Sequence, residues 1–188
     1  MKRGIICLES EWVVTKKKSR LQLNSEPLLQ FLKESYDIPY IYRRIATQAE
    51  LEYYLRQFSK NEYAKYEIIY FSFHGETHGI QLEGEKESLS LNDLLSIKEG
   101  IFNNRIIHFS SCRTLLGSQK AIDNFKEESG AKSVSGYTKT VDSVLSAIHD
   151  IAFFRECQER NQIPSIFRQL ERRYEGIQKE LGFRTHSY

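Results

Sequence analysis

The segment Glu67-Ile68-Ile69-Tyr70-Phe71-Ser72-Phe73-His74-Gly75 decides the fold class. Its first seven residues are almost wholly apolar, which is typical of a strand that helices cover on both faces. Such strands belong to parallel sheets with crossover helices. The run ends abruptly in a histidine followed by a glycine. We therefore predict a central strand over 67–73 that places His74 at its carboxyl end.

The rest of the chain alternates between short apolar runs and helical stripes. This alternation predicts one α/β domain over residues 1–188, with a mostly parallel sheet, helices on both faces and three layers. We expect about five strands and five or six helices, and no sixth strand is evident. The other four strands are predicted at 4–8, 40–45, 105–110 and 132–136.

Several helix ends are marked by particular residues. Thr47 and Glu50 have the spacing of a capping box, and Gly130 is expected to end a helix. Asp142 is expected to cap a long helix. The predicted buried stripe of that helix is Val144, Leu145, Ile148, Ile151 and Ala152.

Composition limits the classes of function. The chain has 188 residues, 40% of them hydrophobic, and a net charge of +2, which is too small to imply a nucleic-acid partner. No apolar stretch approaches the ~20 residues that cross a bilayer, so we expect a cytoplasmic protein without a membrane partner. Cys7, Cys112 and Cys157 are odd in number and lack framework spacing, which favours reduced thiols.

A second segment, Ile106-Ile107-His108-Phe109-Ser110-Ser111-Cys112-Arg113, also ends a strand in a reactive side chain. Functional groups of open α/β sheets gather at the carboxyl ends of the strands. A thiol beside an imidazole can act as a nucleophile with a general base. We therefore predict Cys112 as nucleophile, His74 as base, and the backbone N–H groups of Gly75 and Cys112 as an oxyanion hole.

These residues resemble a known family. His74-Gly75-Glu76-Thr77-His78-Gly79-Ile80-Gln81-Leu82 resembles the "HG…GI.L" segment of caspase-like (clan CD) cysteine peptidases, and is most similar to CHAT-type domains and related small bacterial proteins. The segment 106–113 resembles their Ser-Cys strand end, and 130–142 their "GA..v.G….vd" segment. The resemblance runs from about residue 4 to 170.

The resemblance implies a caspase-like fold with sheet order 2-1-3-4-5, the flavodoxin-like order, with His74 as base and Cys112 as nucleophile. It implies a cysteine endopeptidase that acts on a protein or peptide and needs no metal or organic cofactor. Regulation by a partner or second messenger, in bacterial stress or anti-phage defence, is a further implication.

The expected substrate pocket involves Ser110, Arg113, Tyr137 and Arg20. Relatives that cleave after Arg or Lys carry an Asp two residues before the cysteine, where this chain has Ser110. Caspases take an arginine partly from the loop after strand one. The basic run over 16–20 in that loop, otherwise a solvated surface segment, therefore suggests cleavage after acidic residues as a hypothesis.

Three other interpretations remain open. His74, His78, His108 and Cys112 are four potential zinc ligands, although Gly75 interrupts any helix and a histidine inside an apolar strand is usually a core residue. The chain could be a catalytically inactive caspase-like module that binds a partner protein. It could also be a thiol hydrolase of a small ester or amide, which would require a closed pocket.

Overall fold

The computed structural model describes residues 2–11 and 25–187. The basic run over 16–20, including Arg20, lies outside the described residues, so its predicted role stays a prediction. The main sheet has the order β2-β1-β3-β7-β8-β9. Its strands are β1 (Ile5–Glu9), β2 (Tyr40–Arg44), β3 (Ile68–Ser72), β7 (Ile106–Phe109), β8 (Ser133–Tyr137) and β9 (Phe183–Thr185). The helices are α1 (Ser25–Tyr36), α2 (Gln48–Phe58), α3 (Leu91–Ser96), α4 (Gln119–Ser129), α5 (Ser143–Glu159) and α6 (Ile163–Leu181), with a 3-10 turn at Asn61–Tyr63.

The topology confirms the predicted α/β class and the 2-1-3-4-5 order of the five parallel strands. The expectation of no sixth strand is wrong, because β9 pairs with β8 in the antiparallel direction. Gly182, at φ +65°, ends α6 in the left-handed conformation and turns the chain back onto the sheet. A strand of three residues leaves too short a pattern to be read from sequence.

Two apolar clusters cover the two faces of the sheet, which gives the three expected layers. Alternate strand residues point to opposite faces, so Phe71 packs with α2, α3 and α4, whereas Tyr70 packs with α1, α5 and α6. Both side chains are buried. Phe71 also stacks on Phe109 of the neighbouring strand, with ring centroids 5.0 Å apart.

The predicted helix ends are confirmed. Thr47 and Glu50 form a reciprocal capping box at the start of α2. Asp142 accepts hydrogen bonds from the backbone N–H groups of Val144 and Leu145 at the start of α5. Gly130 follows α4 at φ +70°.

The predicted buried stripe of α5 is correct at Ala152, which is buried, but wrong at Val144 and Ile148. Val144 is 65% exposed and Ile148 is 44% exposed, whereas His149 and Asp150 are completely buried. The helix is rotated because neighbouring strands supply hydrogen-bond partners for these two polar side chains. An apolar periodicity cannot reveal that compensation.

His74 also differs from its predicted position at the end of a strand. β3 stops at Ser72, and His74 begins a small antiparallel sheet of β4 (His74–Glu76), β5 (Gly79–Gln81) and β6 (Leu89–Ser90). In this sheet β5 pairs with both β4 and β6 in the antiparallel direction. The small sheet therefore starts at the carboxyl edge of the main one. No helix among the described residues combines the length and apolar character needed to cross a membrane.

Candidate active site

Two hydrogen bonds join the carboxyl ends of β3 and β7. The backbone N–H of Ser110 donates to the carbonyl oxygen of Phe71 at 2.8 Å. Beyond it, the backbone N–H of Phe73 donates to Oγ of the buried Ser111 at 3.2 Å. His74 directly follows Phe73, and Cys112 directly follows Ser111. The two segments thus leave the sheet at the same place.

Gly75 lies against the backbone of Cys112. A Cβ atom at Gly75 would be 1.9 Å from the carbonyl oxygen of Cys112 and 2.5 Å from Oγ1 of Thr114. No side chain fits there, so this close approach of the two backbones requires glycine. The structure therefore brings the His74-Gly75 and Cys112 segments together.

Cys112 differs from the other two cysteines in its surroundings. It is partly exposed, whereas Cys7 and Cys157 are completely buried, and all three are free thiols. Burial raises the pKa of both Cys7 and Cys157, which keeps them protonated and unreactive. Sγ of Cys112 accepts a hydrogen bond from the backbone N–H of Val141 at 3.4 Å. This contact ties the cysteine segment to the loop before α5.

The side chain of His74 reaches solvent. Partial burial lowers its pKa below the ordinary value for histidine. The imidazole is therefore neutral at pH 7 and can accept a proton. Neutrality is what a general base requires.

The chain bends sharply just after Cys112. Arg113 has φ +61°, a left-handed conformation that is uncommon for a residue with a side chain. Its backbone N–H donates to the carbonyl oxygen of Lys139 at 3.1 Å, which holds the bend. Backbone outliers of this kind cluster at functional sites. The Arg113 side chain is exposed.

A small cavity that is open to solvent lies on the α1 and α5 side of the sheet, beside the segment that bears Cys112. Its wall includes Ser110, together with Tyr70 and Asp150. Arg113 does not line it. Tyr137, expected as a pocket wall, is instead a completely buried core residue. The other hydroxyl groups of the wall belong to Ser25, Ser72, Ser143 and Ser146.

Asp150 is the centre of a buried hydrogen-bond network that the sequence analysis missed. Its Oδ2 accepts from the hydroxyl groups of Tyr70 and Ser110, both at 2.6 Å. Its Oδ1 lies 2.7 Å from Nε2 of His108 and accepts from the hydroxyl of Tyr137. Burial alone would raise the pKa of Asp150, but the contacts with His108, Ser110 and Tyr137 lower it below the ordinary value. The carboxylate is therefore ionised at neutral pH.

This network also positions the cysteine segment. Ser110 binds α5 through Asp150, and Ser111 binds the end of β3 through Phe73. Both residues before Cys112 are thus held by hydrogen bonds of their side chains. A helix residue that faces a serine at a strand end leaves no local sequence signal, so the role of Asp150 could not be predicted from the sequence.

Two of the four residues of the zinc hypothesis, His108 and His78, have hydrogen-bond partners of their own elsewhere. His108 lies in the core, where Nδ1 is 3.0 Å from Oγ of Ser135 and Nε2 contacts Asp150. Nε2 of His78 accepts from the backbone N–H of Ser118 at 3.2 Å. Within residues 2–11 and 25–187, no group of three or more His, Cys, Asp or Glu side chains is placed to hold a metal ion.

The model of a protein family with the description "Family of unknown function (DUF6642)" matches residues 2–187, nearly the whole chain. No curated protein matches the sequence.

Proposed function

This chain belongs to the DUF6642 family, and we propose that it is a cysteine endopeptidase with Cys112 as nucleophile and His74 as general base. The observation that carries the proposal is the contact of Gly75 with the backbone of Cys112, in which a Cβ would lie 1.9 Å from the carbonyl oxygen. This contact supports a shared site for the histidine and the partly exposed thiol. It also requires a glycine beside the histidine.

The proposed reaction proceeds through an acyl-enzyme. His74 takes the proton of the Cys112 thiol, and the thiolate attacks the carbonyl carbon of a peptide bond. The backbone N–H groups of Gly75 and Cys112 stabilise the resulting oxyanion. The imidazolium returns its proton to the leaving amine, and water then hydrolyses the thioester with His74 again as base. The chemistry calls for no metal or organic cofactor.

The setting of this activity is part of the proposal. Three free thiols favour the cytoplasm, where cysteines stay reduced. The resemblance to CHAT-type peptidases favours an effector of bacterial stress or anti-phage defence that a partner or a second messenger activates.

Alkylation by iodoacetamide tests the dyad independently of any substrate. We expect one rapidly labelled cysteine per native chain and three in urea, with mass spectrometry assigning the rapid site to Cys112. His74→Ala should slow this labelling about tenfold or more, since the base that generates thiolate is lost. His78→Asn is the matched control, because asparagine tolerates the left-handed backbone at that position, φ +58°.

Cleavage of a peptide library, read by mass spectrometry, tests the reaction itself. We expect cleavage that disappears in Cys112→Ala and in His74→Ala. If Cys112 labels no faster than Cys157 and His74→Ala changes nothing, the dyad does not exist. That result would support the alternative of an inactive α/β module that binds a partner.

A further inference from the structure

The cavity on the α1 and α5 side adjoins the proposed nucleophile on two sides. Ser110 in its wall lies two residues before Cys112. Ser143 at its mouth lies two residues after Val141, whose backbone N–H binds Sγ of Cys112. A substrate held at Cys112 would therefore lie close to this cavity.

Four hydroxyl groups of the wall donate their hydrogen atoms to carboxylates of the protein. Tyr70 and Ser110 donate theirs to Oδ2 of Asp150, both at 2.6 Å. On the opposite side, Ser25 donates to Oε1 of the buried Glu9 at 3.0 Å, and Ser72 does so at 3.4 Å. A hydroxyl has one hydrogen and two lone pairs. These four groups therefore offer acceptor lone pairs to whatever enters.

The fifth buried hydroxyl of the wall also donates its hydrogen atom to another group of the protein. Oγ of Ser146 donates to the backbone carbonyl of Ser143 at 3.2 Å. The carboxylate of Asp150 itself forms part of the wall. Among the described residues that line the cavity, none is lysine or arginine. The cavity is thus rich in acceptors and is bordered by an ionised carboxylate.

We propose that this cavity binds the positively charged side chain of a lysine or arginine in the peptide substrate, with Asp150 as the specificity-determining residue. The inference rests on the proposed peptidase function and names its substrate class. An ammonium or guanidinium group carries only donors, which match the acceptor lone pairs of the wall. An acidic side chain would place its own lone pairs against those of Ser110 and Tyr70. The described residues therefore favour the opposite charge to the acidic-substrate hypothesis.

Binding to an inactive variant tests the inference without relying on cleavage. The probes are three peptides, acetyl-Ala-Ala-Arg-amide and its counterparts with citrulline or glutamate in place of arginine. Citrulline has nearly the shape of arginine without the charge. With Cys112→Ala as the protein, we expect NMR titration to give at least tenfold weaker binding for citrulline than for arginine. Glutamate should not bind, and the arginine peptide should shift the amide signals of Ser110 and Ser146.

A substitution at the exposed mouth avoids disturbing the core. Ser143→Lys, added to Cys112→Ala, places a competing cation at the entrance and should weaken binding of the arginine peptide at least tenfold. Ser96→Lys adds the same charge at an exposed position on α3 and should leave binding unchanged.

Each result decides one question. Equal affinity for arginine and citrulline, or no binding of the arginine peptide at millimolar concentration, overturns the inference. Cysteine-dependent cleavage of the library mainly after acidic or small residues would also overturn it while leaving the peptidase proposal intact. Selective arginine binding without any cleavage dependent on Cys112 would refute the peptidase proposal alone.

Discussion

Gly75→Ala is the sharpest single test of the site geometry. The added methyl group would lie 1.9 Å from the carbonyl oxygen of Cys112, 2.5 Å from Oγ1 of Thr114 and 2.8 Å from the carbonyl carbon of Cys112. Ordinary contacts of this kind begin at 3.4 Å, so the methyl and the oxygen would have to separate by about 1.5 Å. Two of the three neighbouring atoms belong to the backbone. The strand that bears His74 must therefore move away from Cys112.

Both stability and reactivity should respond. Overpacking of this kind costs about 1–3 kcal/mol of unfolding free energy. A displacement of about 1 Å between reacting groups reduces catalysis by roughly 100-fold. We expect peptide cleavage to fall by that factor and iodoacetamide labelling of Cys112 to lose its dependence on His74. Urea unfolding and labelling kinetics measure the two effects.

Gly176→Ala is the matched control. A Cβ at Gly176 would meet nothing within 4 Å, and the residue lies inside α6. Alanine is favoured over glycine in a helix, so this variant should be about 0.5–1 kcal/mol more stable than the wild type and equally reactive. If Gly75→Ala keeps wild-type stability and labelling, the two segments are not in contact, and the argument for a shared site fails.

Three further predictions concern the fold. Arg105→Lys should lower the unfolding free energy by about 2 kcal/mol in urea titrations. The guanidinium of Arg105 donates to the backbone carbonyl groups of Phe58, Tyr63 and Tyr66. A single ammonium group cannot reach all three. Asp142→Ala should cost about 1 kcal/mol in the same assay through loss of the α5 cap, and Asp142→Asn should restore most of it. Burial lowers the pKa of His149 from 6.5 to about 4, so the unfolded chain binds a proton between these values while the folded protein does not. Stability should therefore fall by about 2 kcal/mol more between pH 7 and pH 5 in the wild type than in His149→Gln, and equal losses would contradict this.

The sequence was sufficient to predict the five parallel strands but not β9, the antiparallel strand at one edge of the sheet. β1 (Ile5–Glu9) and β3 (Ile68–Ser72) consist mainly of unbroken apolar runs and are covered on both faces, so the runs themselves predict that these strands are buried. β9 has three residues, and its existence depends on Gly182 turning the chain rather than on any apolar pattern. Its pairing is a tertiary event.

The residues of the proposed site were likewise only partly predictable from the sequence. His74, Gly75 and Cys112 were visible because each follows an apolar strand segment directly. Asp150 was not, because a charged residue in a helix is usually exposed. It is buried here because Tyr70, His108, Ser110 and Tyr137, from three different strand segments, converge on it. Compensation that comes from separate parts of the chain has no local signature.

β9 limits how two copies of this domain can associate through their backbones. Without it, the sheet would end at β8, five buried residues with unpaired N–H and C=O groups along one side. β9 covers that side and presents only three residues in its place, which is a poor template for a second chain. Sheet extension between copies is therefore expected at β2, whose residues Tyr40–Arg44 are partly or fully exposed at the opposite margin.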